Sequence, residues 1–399
     1  MTQLFKFLSR AFKLVFPRIA QDASMAMSAS ASLGSDFRNM PTNRQGESTM
    51  ATLTRSALAA ALMGAGLLMA GPAGAQQQKI TVAWYGGNWG DAFRACVAEP
   101  YTKATGVTVV PEVGTSTTTL AKLQQQKNAP TIDVAWMDGG ISELAAQAGV
   151  LDTLDPATIP NLKNVIDQGV YRNGDAAYAV STGYYSLGIT YNTKEVREAP
   201  TSWKDLWKPE YAGAVAVPSP ANSSGVPFVF FLARVWAIDP SNLAPLYTKL
   251  ASLDTALFFD SSGAASNAYQ SGEAIIGAHF NVGAWDLIDK GLPIGFAVPK
   301  EGAWATDARL HLVKGAPNAA AAKKFIDTAL TPDAAACLAT RLYLGPAVKG
   351  VQVPPDVARK LPWGAEGSVK NLSLFDWNLI NSRRAEVTDA WNRQVARKR

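Results

Sequence analysis

The chain has 399 residues, with 37 Lys and Arg against 32 Asp and Glu and a net charge of +5, a length that accommodates two domains with a sizeable core. Apolar residues at 48% and charged ones at 17% exclude a disordered or highly solvated chain. Two His and two Cys exclude most zinc sites, because structural zinc takes four such ligands.

The first readable element is a leader. After Met50, Arg55 supplies a positive start, Ala57–Ala70 an apolar stretch, and Ala73-Gly74-Ala75 a small-x-small cleavage site before Gln76. The stretch is Ala- and Gly-rich and is broken at Gly71-Pro72, whereas a membrane span needs about 20 strongly apolar residues. A secretory signal over 50–75 is the expectation. Residues 1–49 then stand upstream of a signal peptide, with a short basic amphipathic start (Phe5 to Arg18) and a Ser/Ala/Asn-rich remainder; they read as an over-long start or a disordered extension. Residues 1–75 hold seven of the Lys/Arg and three of the acids, which leaves 30 basic and 29 acidic residues in 76–399. That near-neutral balance removes the support for a nucleic-acid partner.

In the exported part, Lys79–Trp84 alternates and reads as a strand, broken by Gly86 to Gly90 and followed by a helix over Asp91–Lys103. Val107–Val113 is a second strand, Leu120–Lys127 a helix, Ile132–Trp136 a third strand, and Ile141–Ala148 a helix stopped by Gly149. The β-branched and aromatic run Tyr184–Tyr191 predicts a strand leaving this first lobe. A second α/β run follows, with strands at Ala214–Pro218, Thr255–Phe259, Ala274–Phe280, Pro293–Val298 and Ala308–Val313. Its helices are expected at Val226–Ile238, Asn267–Ser271, Asn318–Leu330 and Asp333–Thr340. Alternating strands and helices predict two α/β lobes with largely parallel sheets. Cys96 and Cys337, an even count in an oxidising compartment, form a possible disulfide, with two buried free thiols as the alternative.

No nucleophile elbow, P-loop, H-E-x-x-H or G-x-G-x-x-G after a strand is present, and His279 and His311 both fall inside expected strands. The chain therefore reads as a non-enzyme without a metal site or a cofactor. Five loops recur instead, each after a strand and before a helix: Tyr85–Gly90, Gly114–Thr119, Asp138–Ser142, Ser219–Gly225 and Asp260–Gly263. Such loops present free amides and hydroxyls at the positive end of a helix, and in parallel sheets they gather at the carboxyl edge where ligands bind. The aromatics Tyr85, Trp89, Trp136, Phe280 and Trp304 fall at strand ends and suit an apolar or cationic small ligand.

The block TSWKDLWKPEYAGAVAVP at Thr201–Pro218, with Ile132-Asp133-Val134, Tyr191-Asn192, the stretch Gln270 to Ala274, Val298-Pro299-Lys300-Glu301-Gly302 and Leu344-Gly345-Pro346, resembles the extracellular solute-binding proteins of ABC importers, spermidine/putrescine type, over nearly all of 79–350. The resemblance implies a type II periplasmic-binding-protein fold, with lobe 1 holding 79–187 plus 281–312, lobe 2 holding 188–280 plus 313–399, and a ligand cleft closed by a hinge. It implies a monomeric periplasmic receptor that captures a small amine-containing solute, polyamine-like or zwitterionic, and delivers it to an inner-membrane permease. A ferric, thiamine or phosphonate receptor, a ligand sensor and a secreted enzyme are the alternatives. Matching positions give Tyr85, Asn88, Trp89, Asp138, Phe280, Asn281, Trp304 and Asp307 as ligand-binding residues. Where polyamine binders carry an acid pair, this chain has Ser219 to Gly225 without an acid, and Ser223 and Ser224 are expected to offer hydroxyls to an anionic group instead.

Overall fold

The computed structural model describes residues 78–396; the leader and the segment before it lie outside the described residues. Ten strands are present in the described part: β1 Lys79–Trp84, β2 Thr108–Val113, β3 Val134–Asp138, β4 Val170–Asn173, β5 Ala176–Asn192, β6 Val215–Pro218, β7 Thr255–Phe259, β8 Ile276–Phe280, β9 Ile294–Ala297 and β10 Trp304–Leu312. They follow the order β2-β1-β3-β10-β5-β8-β6-β7, with β4 and β9 also on β5. Each half repeats one plan. β2, β1 and β3 are mutually parallel and are closed by antiparallel β10, while β7, β6 and β8 are parallel and are closed by antiparallel β5.

β5 joins the halves. Leu187 pairs with Trp304 of β10 on one side and Phe280 of β8 on the other, so the strand leaves the first lobe and enters the second at that residue. The spacing of Tyr184–Tyr191 captures only the end of this 17-residue strand. From Ala179 to Thr190 it is buried on both faces and shows none of the alternation that marks a half-buried strand.

The pairing divides the chain differently from the expected lobes. β9 pairs with Ile189–Asn192, and the helix Asn281–Asp289 packs on β9 and on the helix Ser262–Ser271. Residues 281–297 therefore lie with the second lobe, and the return crossing falls between β9 and β10. The helices Ala319–Ala329 and Pro332–Leu342 pack on the first lobe rather than the second. The second of them is tied there by the disulfide between Cys96 and Cys337, with Cα atoms 5.6 Å apart. Closing a loop of 241 residues removes about 5 kcal/mol of denatured-state entropy in the chain-entropy view.

The first helix starts at Gly87 rather than Asp91. Glycine is a poor helix former, yet a Cβ at Gly90 would meet the Tyr85 carbonyl, so only glycine lets the helix follow the strand this closely. Helical backbone then runs through a π segment at Arg94–Ala98 into Glu99–Thr105, and the register slips just ahead of Pro100, which has no amide to give. β3 is displaced toward Asp138 because Asp133 is engaged before the strand begins, accepting from the amides of Thr81 at 2.8 Å and Asn318 at 2.7 Å. In the second lobe GVPFVFFLARV at Gly225–Val235 is buried almost all round, and each enclosed Phe or Val side chain contributes about 1.5–3 kcal/mol. None of the described helices is long and apolar enough to cross a membrane.

Candidate functional site

Parallel strands of both lobes end at one cleft, and residues from all five loops singled out in sequence line a single cavity there, of about 340 Å³, except that Asp138 alone represents the third. Tyr85, Asn88, Trp89, Asp138, Ser223 and Phe280 are brought together on its wall. The aromatic side is continuous: Tyr85 lies 5.3 Å from Trp89, Trp89 5.1 Å from Tyr185, and Tyr185 4.9 Å from Phe280, ring centre to ring centre.

Asp138 closes β3 at the floor of this aromatic side, and its side chain accepts only hydroxyl donors. Tyr85 donates to Oδ1 at 2.8 Å and Tyr185 makes a short bond to the same oxygen. Ser116 donates to Oδ2 at 2.8 Å, and Ser223, from the second lobe, donates to it at 2.6 Å. A second contact, Thr117 to the Ala221 carbonyl at 3.2 Å, also spans the cleft. Burial, with the Asp138 charge adding to it, raises both tyrosine hydroxyls well above their ordinary range, so both stay protonated and donate. Among the described residues no Lys, Arg or His pairs with Asp138.

The opposite wall comes from the second lobe. Ser261 caps the helix Ser262–Ser271, its hydroxyl accepting from the Ala264 amide at 3.2 Å. That helix turns Ser262, Gly263, Ser266, Asn267 and Gln270 toward the cavity while Ala265, Ala268 and Tyr269 are buried behind. The amides of Ser262 and Gly263 precede the helix's first internal bond, so the positive end of the helix dipole lies at the cavity wall. At the rim Asp286 is already engaged by Lys290 at 2.7 Å.

Four expected ligand contacts do not line the cavity. Asp138 sits opposite Ala308 in the β3–β10 register, and strand residues alternate faces, so the neighbouring Asp307 is directed to the other side of the sheet. There it accepts from Arg309 Nε at 2.8 Å and Tyr171 at 2.9 Å. Burial raises its carboxyl above the usual range, with Arg309 offsetting only part of that. Trp304 is buried one row behind Phe280, 6.1 Å away, and against Phe375 at 5.8 Å. Asn281 is a clamp at the lobe crossing, accepting from the Ser186 amide and donating to the Tyr343 carbonyl, each at 3.0 Å. Ser224 is fully buried and donates to Asn222 Oδ1 at 2.6 Å, which fixes the loop below Gly225, where a Cβ would collide with the Ser219 carbonyl. Trp136 is likewise internal, stacked on Phe93 at 4.2 Å with its Nε1 donating to Thr182 at 2.9 Å.

Sequence reasoning held Ser116 and Ser262 only as members of their loops, and missed Tyr185 and the helix face of Ser266, Asn267 and Gln270. A polar stripe at i, i+4 and i+8 is visible in SGAASNAYQS once the helix is started at Ser262 rather than Asn267. Adjacent strand residues point to opposite faces, so Tyr184 and Tyr185 diverge: Tyr185 lines the cavity, and the Tyr184 hydroxyl is buried without a hydrogen-bond partner.

A family model described as "Bacterial extracellular solute-binding protein" matches residues 97–362. The chain belongs to the bacterial extracellular solute-binding proteins. It is a binding component of the transport class, not an enzyme. Among its relatives, the spermidine/putrescine-binding periplasmic protein of Escherichia coli K12 is 26% identical over 310 residues, 75% of this chain and 85% of that one. The gamma-aminobutyric acid-binding protein of Pseudomonas aeruginosa is 24% identical over 345 residues, 83% of this chain and 95% of that one. The solved periplasmic binding protein of A. tumefaciens B6 in complex with glucopine superimposes with a TM-score of 0.69 at 19% identity, covering 79% of this chain and 99% of that one. Its two-lobed architecture is the one described above.

Proposed function

We propose that this solute-binding protein captures a small zwitterion, an ω-amino carboxylate or a close analogue, and delivers it as a monomer in the periplasm to an inner-membrane permease. The observation that carries the reading is Asp138: a buried carboxylate held by four hydroxyl donors and no cation. A buried charge without a counter-charge is costly, and a ligand ammonium supplies the missing one while its methylenes pack in the aromatic wall. The other end of the ligand meets the helix start at Ser261 to Gly263, where donors favour an anion. The solutes for which two relatives are named, spermidine/putrescine and gamma-aminobutyric acid, all carry a primary amine.

A long di- or polyamine fits less well. Of the two carboxylates on the cavity wall, Asp286 is already paired with Lys290, which leaves one for two or more ammonium groups. Ligand closure favours the liganded form by its differential affinity, and the permease reads that form. A thermal-shift and calorimetric screen of residues 76–399 decides the matter. 4-Aminobutanoate and 5-aminopentanoate are expected to bind, with about 2.7 kcal/mol of stabilisation at 100 Kd. Putrescine and spermidine binding tightly while the amino-carboxylates do not would overturn the zwitterion.

A further inference from the structure

One layer beneath the second-lobe wall, His279 Nε2 lies 3.0 Å from the Ser266 hydroxyl. The imidazole is fully buried and clamped, stacked on Tyr269 at 5.8 Å with Phe259 at its edge, 6.3 Å away. A Cβ at Gly283 would fall on Nε2, so the glycine is what lets the wall pass this close to the ring. Ser266 and Gly283 both face the cavity. The other ring nitrogen, Nδ1, is buried and has no hydrogen-bond partner.

That asymmetry fixes the proton. A neutral imidazole carries one N–H and one bare nitrogen, and a buried N–H left without an acceptor is the rarer orphan in folded proteins, an acceptor left without a donor the commoner one. The proton therefore sits on Nε2 and is donated to the Ser266 oxygen. With that oxygen accepting from the ring, the serine's own hydrogen is left to point into the cavity. We infer that His279 is a specificity-determining positioning residue, which through Ser266 presents a hydrogen-bond donor to the ligand and so selects a carboxylate or other anionic end at this wall over a second ammonium. The inference rests on the zwitterion reading for the identity of that end. Burial holds the His279 imidazole down at about 4, so it is neutral at physiological pH.

His311, the other histidine of the chain, provides an internal contrast. Its Nδ1 faces the Ala135 carbonyl at 2.9 Å and its Nε2 faces the Ser142 hydroxyl at 2.8 Å. A carbonyl only accepts, so His311 carries its proton on Nδ1, the opposite tautomer.

The test has two arms. A two-bond 15N–1H correlation spectrum of the 15N-labelled, unliganded protein at neutral pH is expected to show two neutral imidazoles of opposite tautomer, with His279 protonated on Nε2; protonation of His279 on Nδ1 overturns the inference without reference to any ligand. In the second arm, calorimetry with 4-aminobutanoate and with putrescine compares wild type, Ser266→Ala, His279→Leu and His279→Gln. Ser266→Ala and His279→Leu are expected to weaken 4-aminobutanoate about tenfold, the loss of one hydrogen bond to a charged group, and to leave putrescine within about twofold. His279→Gln keeps a donor at the Nε2 position and is expected to stay near wild type. An equal loss for both ligands in Ser266→Ala, which removes only a hydroxyl at the cavity wall, means the contact is structural and overturns the inference. Failure of the wild type to bind 4-aminobutanoate sinks the zwitterion reading, while the spectrum still judges the tautomer.

Discussion

Two buried carboxylates one register step apart on the first lobe's sheet have opposite fates. Asp307 is held by Arg309, which also donates to Glu143 at 2.6 Å and lies 3.3 Å over the Tyr171 ring. Glu143 in turn accepts from the Gly140 amide at 2.6 Å, so this ion cluster anchors the turn directly after Asp138. Asp138, on the opposite face, receives hydroxyls alone. The compensated carboxylate is part of the scaffold, and the uncompensated one faces the cavity. A buried charge is retained without a counter-ion where a ligand brings one, because the cost in the free protein then becomes binding selectivity.

Removing the compensation is expected to produce the largest effect. Arg309→Met leaves the buried Asp307 without a cation and should destabilise the protein by about 3–5 kcal/mol, read as a lower midpoint in urea; a loss below about 1 kcal/mol would show that the cluster is not the anchor described here. The two histidines extend the comparison to pH. Burial lowers His279 to about 4 and His311 to about 3, so between those values and the ordinary histidine value the unfolded chain binds protons that the folded chain refuses. Stability is then fully present above about pH 6.5 and falls as pH drops below it, at a slope approaching two protons, about 2.7 kcal/mol per pH unit. Asp307 acts in the opposite sense, since its raised carboxyl takes up a proton more readily in the folded state and offsets part of the loss at lower pH. Urea titrations across this range in wild type and His279→Gln check the slope, which the substitution should roughly halve.

Asp138→Asn sharpens the contrast in the other direction. It removes an uncompensated charge, so stability should change little or rise, while affinity for an amine-bearing ligand falls about 100-fold or more. A stability loss as large as that of Arg309→Met would put both carboxylates in the scaffold. The smallest effect is expected from Ser223→Ala, which removes a hydrogen bond across the cleft. Unfolding free energy should drop by about 1 kcal/mol or less, and small-angle scattering of the unliganded protein should show a shift toward a more open form.

The alternation of strands and helices was readable from hydrophobic period and glycine stops, and the loops that line the cavity were readable from their Ser, Thr, Asn and aromatic content. The errors fall where local pattern loses its meaning. β5 is buried on both faces from Ala179 to Thr190, so that stretch carries no period. The helix Ser262–Ser271 opens on Ser-Gly-Ala-Ala-Ser, residues that predict a turn as readily as a helix, and its cavity-facing stripe stayed hidden with its first turn. Asp307 and Trp304 stand in a stretch that resembles cleft-facing positions, yet strand alternation and the β3–β10 pairing turn them away.

By itself the sequence determined the two-lobed α/β architecture, the solute-binding class and Asp138 as an acid just after the third strand. These follow from short-range periodicity and from motifs that lie contiguous along the chain. Only the tertiary structure decided which carboxylate keeps a cation, which tyrosine of the Tyr184-Tyr185 pair reaches the cavity wall, and which ring nitrogen of His279 meets Ser266. The first two depend on register between strands distant in sequence, where a shift of one residue exchanges the buried face for the cavity face; the third depends on how the helix Ser262–Ser271 packs on β8.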